Sequence, residues 1–147
     1  YGWLALDRRG NWLLRPSAEG AFGRVGNAAL RAFIARNYAV DARGCWYFQN
    51  GPQRVYVTLA YTPFVLRYAG ESLVDQCGGP VRPRETFVDE EGSVLLLGAQ
   101  GIGLLDDRDL GIFESRLRVD WQRLPQVARA EVAGRFGFVS APSESLR

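Results

Sequence analysis

Three segments of this chain repeat one turn. Leu4-Ala5-Leu6-Asp7-Arg8-Arg9-Gly10-Asn11-Trp12-Leu13-Leu14 is the first, and Tyr38-Ala39-Val40-Asp41-Ala42-Arg43-Gly44-Cys45-Trp46-Tyr47-Phe48 follows the same plan. Thr86-Phe87-Val88-Asp89-Glu90-Glu91-Gly92-Ser93-Val94-Leu95-Leu96 is the third. Each reads apolar, Asp, two further residues, Gly, one small or polar residue, then apolar again. Asp at the first position of a type I turn bonds backbone two residues on, and Gly supplies the positive φ of the bulge that follows. Apolar runs on either side of such a turn pair as antiparallel strands. The repeat therefore predicts hairpins over residues 4–14, 38–48 and 86–96.

The intervening segments complete a β-rich α+β reading. Between the first two hairpins, Asn27 to Asn37 places Leu30, Phe33 and Ile34 on one helical face. Asn27 suits the N-cap, Arg36 the negative end of the dipole, and Asn37 a left-handed stop. Asn50-Gly51-Pro52 is a turn, Arg54 to Tyr61 alternates as a strand, and Phe64 to Tyr68 forms another after Pro63. Residues 69–85, rich in Gly and Pro around Cys77, read as a loop, and Gly98 to Gly103 as a flexible stretch. A helix is expected from Asp107, burying Leu110, Phe113 and Leu117. A second is expected after Pro125, burying Val127, Ala130 and Ala133 and closed by Gly134. Arg135 to Val139 reads as a last strand. The expectation is thus one α+β domain over residues 1–139, with three Asp-x-x-Gly hairpins and two or three short helices packed on the sheets, and a flexible tail over 140–147.

Composition sets limits. At 147 residues, 47% hydrophobic and 12% aromatic, the chain is long enough for one real core. No apolar run approaches the ~18 residues of a membrane span and no basic-then-apolar leader opens the chain, so a soluble, cytoplasmic protein without membrane contact is expected. Tyr1 is not a translation start, and omission of a disordered start is the favoured reading. There is no His and no Lys; the 18 basic residues are all arginines, which a GC-rich genome explains. Without His there is no Ser-His-Asp or Cys-His catalysis, and without Lys no P-loop lysine or Schiff base. The net charge of +2 provides no field for nucleic acid. Cys45 and Cys77 form no Cys-x-x-Cys pair; two free thiols are favoured, and a single disulfide stays open.

The run from Ala5 to Leu66 resembles an uncharacterised family of small bacterial proteins, a domain of unknown function. Leu6-Asp7-Arg8-Arg9-Gly10-Asn11-Trp12, then Leu30 and Phe33, Asp41 through Tyr47, Val55 to Leu59, and Thr62-Pro63-Phe64-Val65 carry the resemblance. It implies repeated strand-turn-strand units with helices between them, and a suggested role in signal transduction. None of these residues forms a catalytic motif.

Four constellations could carry chemistry. Asp106, Asp107 and Asp109 place three carboxylates within four residues, which suits a hard cation such as Mg²⁺. The same residues suit a helix start, with Asp106 as N-cap. Asp89-Glu90-Glu91 fills turn positions of the repeat. Trp46, Tyr47, Phe48, Tyr56, Tyr61, Phe64 and Tyr68 beside Arg54 and Arg67 could stack single-stranded nucleic acid, or simply pack a core. Arg82-Pro83-Arg84 could pin an anion or stay solvated. Gly98, Gly101 and Gly103, with Arg108, mark the expected partner surface, because glycine lets backbone approach closely. The reading is a non-enzymatic binding or signalling module with a protein or small-ligand partner; no catalytic residue and no cofactor is implied, and nucleic acid is not expected. The alternatives are a Mg²⁺-dependent enzyme acting on a phosphorylated substrate through Asp106, Asp107 and Asp109, and a single-stranded nucleic-acid binder.

Overall fold

The computed structural model describes residues 3–16 and 20–142. Twelve strands build two six-stranded sheets. The first contains β1 (Trp3–Leu6), β2 (Trp12–Arg15), β3 (Gly23–Arg24), β4 (Tyr38–Val40), β5 (Trp46–Asn50) and β6 (Gln53–Leu59), in the order β3-β2-β1-β6-β5-β4. The second contains β7 (Phe64–Ala69), β8 (Ser72–Val74), β9 (Pro80–Val81), β10 (Glu85–Val88), β11 (Val94–Gly98) and β12 (Gly101–Leu105), in the order β10-β11-β12-β7-β8-β9. Helix α1 (Ala28–Arg36) lies between β3 and β4, while α2 (Leu110–Arg116) and α3 (Val132–Phe136) follow the second sheet.

One topology is used twice. Each sheet is two three-stranded meanders joined side by side, with the first strand of the first meander parallel to the last strand of the second: β1 with β6, and β7 with β12. The register is kept in sequence: Asp89 follows Asp41 by 48 residues, and the same interval takes Gly44 to Gly92, Phe48 to Leu96 and Val55 to Gly103. Phe48 pairs with Val55 across one hairpin and Leu96 with Gly103 across the other.

The halves differ in how their outer strands connect. Between β3 and β4 the chain makes α1, whose Phe33 and Ile34 reach the sheet; the Phe33 and Phe48 rings meet edge to face at 5.3 Å. Between β9 and β10 it has only Arg82, Pro83 and Arg84. The outer strands of a flat six-stranded sheet would stand about 24 Å apart. Four Cα steps reach about 14 Å at most. The second sheet must therefore curl, and it does: a Cβ built on Gly98 of β11 would lie 3.0 Å from a Val81 methyl on β9.

The predicted hairpins over 4–14, 38–48 and 86–96 are β1-β2, β4-β5 and β10-β11. In each, Oδ1 of the Asp accepts the backbone N–H two and four residues on, at 2.8–3.0 Å. A fourth copy stands where a loop was expected. Asp75 accepts from Cys77 at 2.8 Å and Gly79 at 3.0 Å and turns β8 into β9. Gly98 to Gly103, expected to be flexible, is the end of β11, a two-residue turn and most of β12.

The helices need three corrections. Asn27 does cap α1, accepting from Leu30 N–H at 2.9 Å, but Asn37 is not left-handed (φ −119°). It ends the helix through its side chain, which donates to the Phe33 carbonyl at 2.8 Å. Of the expected buried face of α1, only Ile34 is buried; Leu30 and Phe33 are 37% and 36% exposed. Residues 135 and 136 belong to α3, which Gly137 rather than Gly134 closes at φ 71°, leaving only an isolated bridge from Val139 to Cys45. Of the expected tail, residues 143–147 lie outside the described residues; Ser140 is tied in, its carbonyl accepting from Leu59 N–H at 2.7 Å.

Buried side chains of both sheets form one cluster running through Trp12, Trp46, Phe64 and Phe87. The joint between sheets is buried over residues 61–63: Tyr61 donates to Asp89 at 2.8 Å, and Thr62 Oγ1 donates to the Phe64 carbonyl and accepts from Leu104 N–H. No helix among the described residues is long and apolar enough to cross a membrane.

Candidate functional site: a glycine-floored cavity in the second sheet

The β11-β12 hairpin pairs Gly98 with Gly101 and Leu96 with Gly103, and Gly103 pairs with Phe64 of β7. Directly opposed residues share a face, and residues two apart on a strand share it as well. Gly98, Gly101, Gly103, Phe64 and Leu66 therefore stand on one face. That face has no side chains at three adjacent positions. Leu66, Phe64 and Val81 pack into the room above Gly103, Gly101 and Gly98, and beside them lies a cavity of about 480 Å³ whose lining includes the three glycines, Pro80, Val81 and Pro83. Glycine is required here for space. A Cβ on Gly103 would lie 2.8 Å from Leu66 Cγ, and one on Gly101 3.5 Å from the Phe64 ring, on backbone at φ 148° that side chains rarely adopt.

Arg82-Pro83-Arg84 passes along the rim. Arg82 and Arg84 both belong to the cavity lining, are exposed, and their side chains make no ion pair or hydrogen bond among the described residues. The backbone that carries them is held, since Arg84 N–H donates to the Leu97 carbonyl at 2.7 Å and Pro83 fixes its own φ. Asp75 is the one carboxylate in the lining, and two backbone N–H groups already occupy its Oδ1.

Arg108 and the three aspartates lie elsewhere, at the start of α2. Asp106 is completely buried and caps a 3₁₀ turn over Asp107–Asp109, accepting from Arg108 N–H at 2.9 Å. The Arg108 guanidinium folds back on the same carboxylate at 2.6 Å. Asp109, also buried, takes Arg67 Nη2 at 2.9 Å and Tyr68 N–H at 2.8 Å. Exposed Asp107 pairs with Arg9 at 3.3 Å. Burial works against the charged form of Asp106, but the Arg108 guanidinium and N–H overcome it and hold the carboxyl below its ordinary range. Hydrogen bonding from Arg67 does the same for Asp109. Each carboxylate thus has a different closest arginine, and Arg67 also stands 3.9 Å from Asp106. Among the described residues no three metal-ligating side chains group closely enough to hold an ion.

The remaining candidates sit in structural roles. Trp46, Phe48, Tyr56, Tyr61 and Phe64 are buried, while Arg54 stacks on Tyr47 at 4.3 Å. Cys45 and Cys77 are free thiols. Burial, with Asp75 adding to it, pushes Cys77 up to about 12; burial also raises Cys45.

The molecule is thus a duplicated two-sheet α+β protein with one glycine-floored, arginine-rimmed cavity in its second half. The chain belongs to the family described as "Protein of unknown function (DUF2946)", whose family model matches residues 1–143. A DUF1285 family protein from Silicibacter pomeroyi DSS-3 has a similar structure, with a TM-score of 0.56 at 12% identity, covering 80% of this chain and 70% of that one. A DUF1285 family protein from Shewanella baltica OS155 matches with a TM-score of 0.48 at 14% identity, covering 80% of this chain and 94% of that one. At such identities the likeness to the first shows the fold alone. No curated protein matches the chain.

Proposed function

We propose that this protein is a non-enzymatic binding module of signalling type, working in the cytoplasm, whose ligand site is the cavity of the second sheet. One observation carries the reading: a cavity of about 480 Å³, inside the range of small-molecule sites, is lined by three glycines and by Arg82 and Arg84, which are exposed and have no carboxylate partner among the described residues. Two lines of chemistry support binding over catalysis. The sequence offers no His or Lys, and burial keeps both thiols protonated near neutrality. The Mg²⁺-dependent alternative would need Asp106 and Asp109 released from Arg108 and Arg67, which would leave both carboxylates without their counter-charges in buried surroundings. For the nucleic-acid alternative, most of the aromatics that would stack bases are consumed by the core.

The test is a fragment screen read by amide chemical shifts, run beside a phosphoester hydrolysis assay with and without Mg²⁺. Fragments should move the amides of residues 81, 82, 84 and 98–103 while hydrolysis stays at background. Metal-dependent turnover lost in Asp106→Asn would overturn the reading in favour of the enzyme.

A further inference from the structure

The two halves of the molecule differ at one matched place. In the first, α1 lies against Phe48, the cross-strand partner of Val55. In the second, 48 residues on, the corresponding pair is Leu96 and Gly103, the connection that would carry a helix is three residues long, and the glycine-floored cavity lies along that face. The second half therefore lacks what the first half uses to cover its sheet. A helix cannot take that position there. It needs a channel of about 10 Å, whereas Val81 and the Arg82–Arg84 link close directly onto the β11-β12 hairpin, through the Val81–Gly98 approach and the Arg84–Leu97 bond. The occupant must be small.

Charge and surface define it further. Two guanidinium groups against one carboxylate leave the lining net positive, and the carboxylate is already engaged by its own turn. Arg82 and Arg84, two apart on a link stiffened by Pro83, offer paired forks that match the oxygens of a carboxylate or phosphate. Pro80, Val81 and Pro83, partly or fully exposed, offer an apolar wall beside them. We propose that the cavity takes a small organic oxyanion with an apolar body, its carboxylate or phosphate head between Arg82 and Arg84 and its hydrocarbon or aromatic part against Pro80, Val81 and Pro83. This deepens the binding reading above and rests on it.

The experiment titrates the full chain with hexanoate, octanoate, octyl phosphate, octanol, octylamine, acetate and inorganic phosphate, followed by amide shifts. Octanoate and octyl phosphate should move the amides of residues 81, 82, 84 and 98–103, and their relative affinities say which head is preferred. From hexanoate to octanoate, affinity should rise about fourfold per methylene. The double variant Arg82→Ala, Arg84→Ala should weaken octanoate at least tenfold and leave octanol unchanged; both side chains are exposed and unpaired, so the remaining amides should stay in place. If octanol or octylamine moves the same amides as tightly as octanoate, the oxyanion head is wrong and the site stands. If acetate and inorganic phosphate bind as tightly as the octyl compounds, the apolar body is wrong. If no probe moves these amides, the cavity is not a ligand site, and the proposed function falls with it.

Discussion

At the scale of single residues, glycine does two different jobs in this protein, and only one was legible in the sequence. Gly44 and Gly92 end equivalent turns with φ 87° and 80°, as the Asp-x-x-Gly pattern requires. Their surroundings differ. A Cβ on Gly92 meets nothing, whereas one on Gly44 runs into the backbone carbonyl of Gly137 just past α3. Gly92→Ala should therefore cost about 1–2 kcal/mol, the left-handed penalty alone. Gly44→Ala should cost clearly more, because the C-terminal segment must also move, and urea unfolding of the two variants measures the difference. Equal losses would show that the Gly44–Gly137 contact does not hold in solution. The other job, making room, was read from Gly98, Gly101 and Gly103 as flexibility and as close approach to a partner, not as packing within the sheet. Their packing against Val81, Phe64 and Leu66 comes from strands distant in sequence.

At the scale of the element, the turn chemistry was the most readable layer, and its misses have local causes. The Asp75 hairpin was hidden because its strands are short and one carries Pro80, which has no N–H to donate and belongs at a sheet edge. Leu30 and Phe33 fit a buried helical face by spacing, yet α1 rests on its sheet by one edge and buries only Ile34. The four turns are not equal in weight. Asp7 is half-buried, so water can reach its partners once the carboxylate is gone, and Asp7→Ala should cost about 1 kcal/mol. Asp89 is buried and also holds the Tyr61 hydroxyl, whose ring lies between Arg8 and Arg129 at 5.0 and 5.1 Å. Asp89→Ala leaves that hydroxyl without an acceptor at the joint between the sheets and should cost about 3 kcal/mol. Equal losses by urea unfolding would mean that the joint contributes nothing beyond the turn.

At the scale of the whole molecule, the repeated hairpin hinted at duplication, but the complete pattern needed strand order. Once β9 and β10 are known as opposite edges, a three-residue link forces the curl, and the curl brings Arg82 and Arg84 to the three glycines. Both sets were noticed in the sequence, and nothing local connected them. The acidic stretch shows the converse, since its density suggested a shared ligand while the fold gives each carboxylate a different arginine. This arrangement fixes how stability depends on pH. Asp106 and Asp109, and also Asp41 beside Arg43, have folded pKa values below the ordinary 3.8. A group depressed on folding contributes fully above its unfolded pKa, and the contribution is lost as pH falls toward the folded value. The carboxylate contribution should therefore be complete above about pH 5 and decline below about pH 4. With no histidine and both thiols raised, neither an imidazole nor a thiol titrates between pH 5 and 8. Urea midpoints measured from pH 2.5 to 9 should give a plateau across neutrality and a steep acid limb. In Asp106→Asn, Asp109→Asn the plateau should be lower, because Arg67 and Arg108 lose their counter-charges, and the acid limb shallower, because two of the protons that drive it have no site. A step in the wild-type midpoint between pH 6 and 7, or an acid limb unchanged in the double variant, would show that these arginine-held carboxylates do not control the acid stability of the fold.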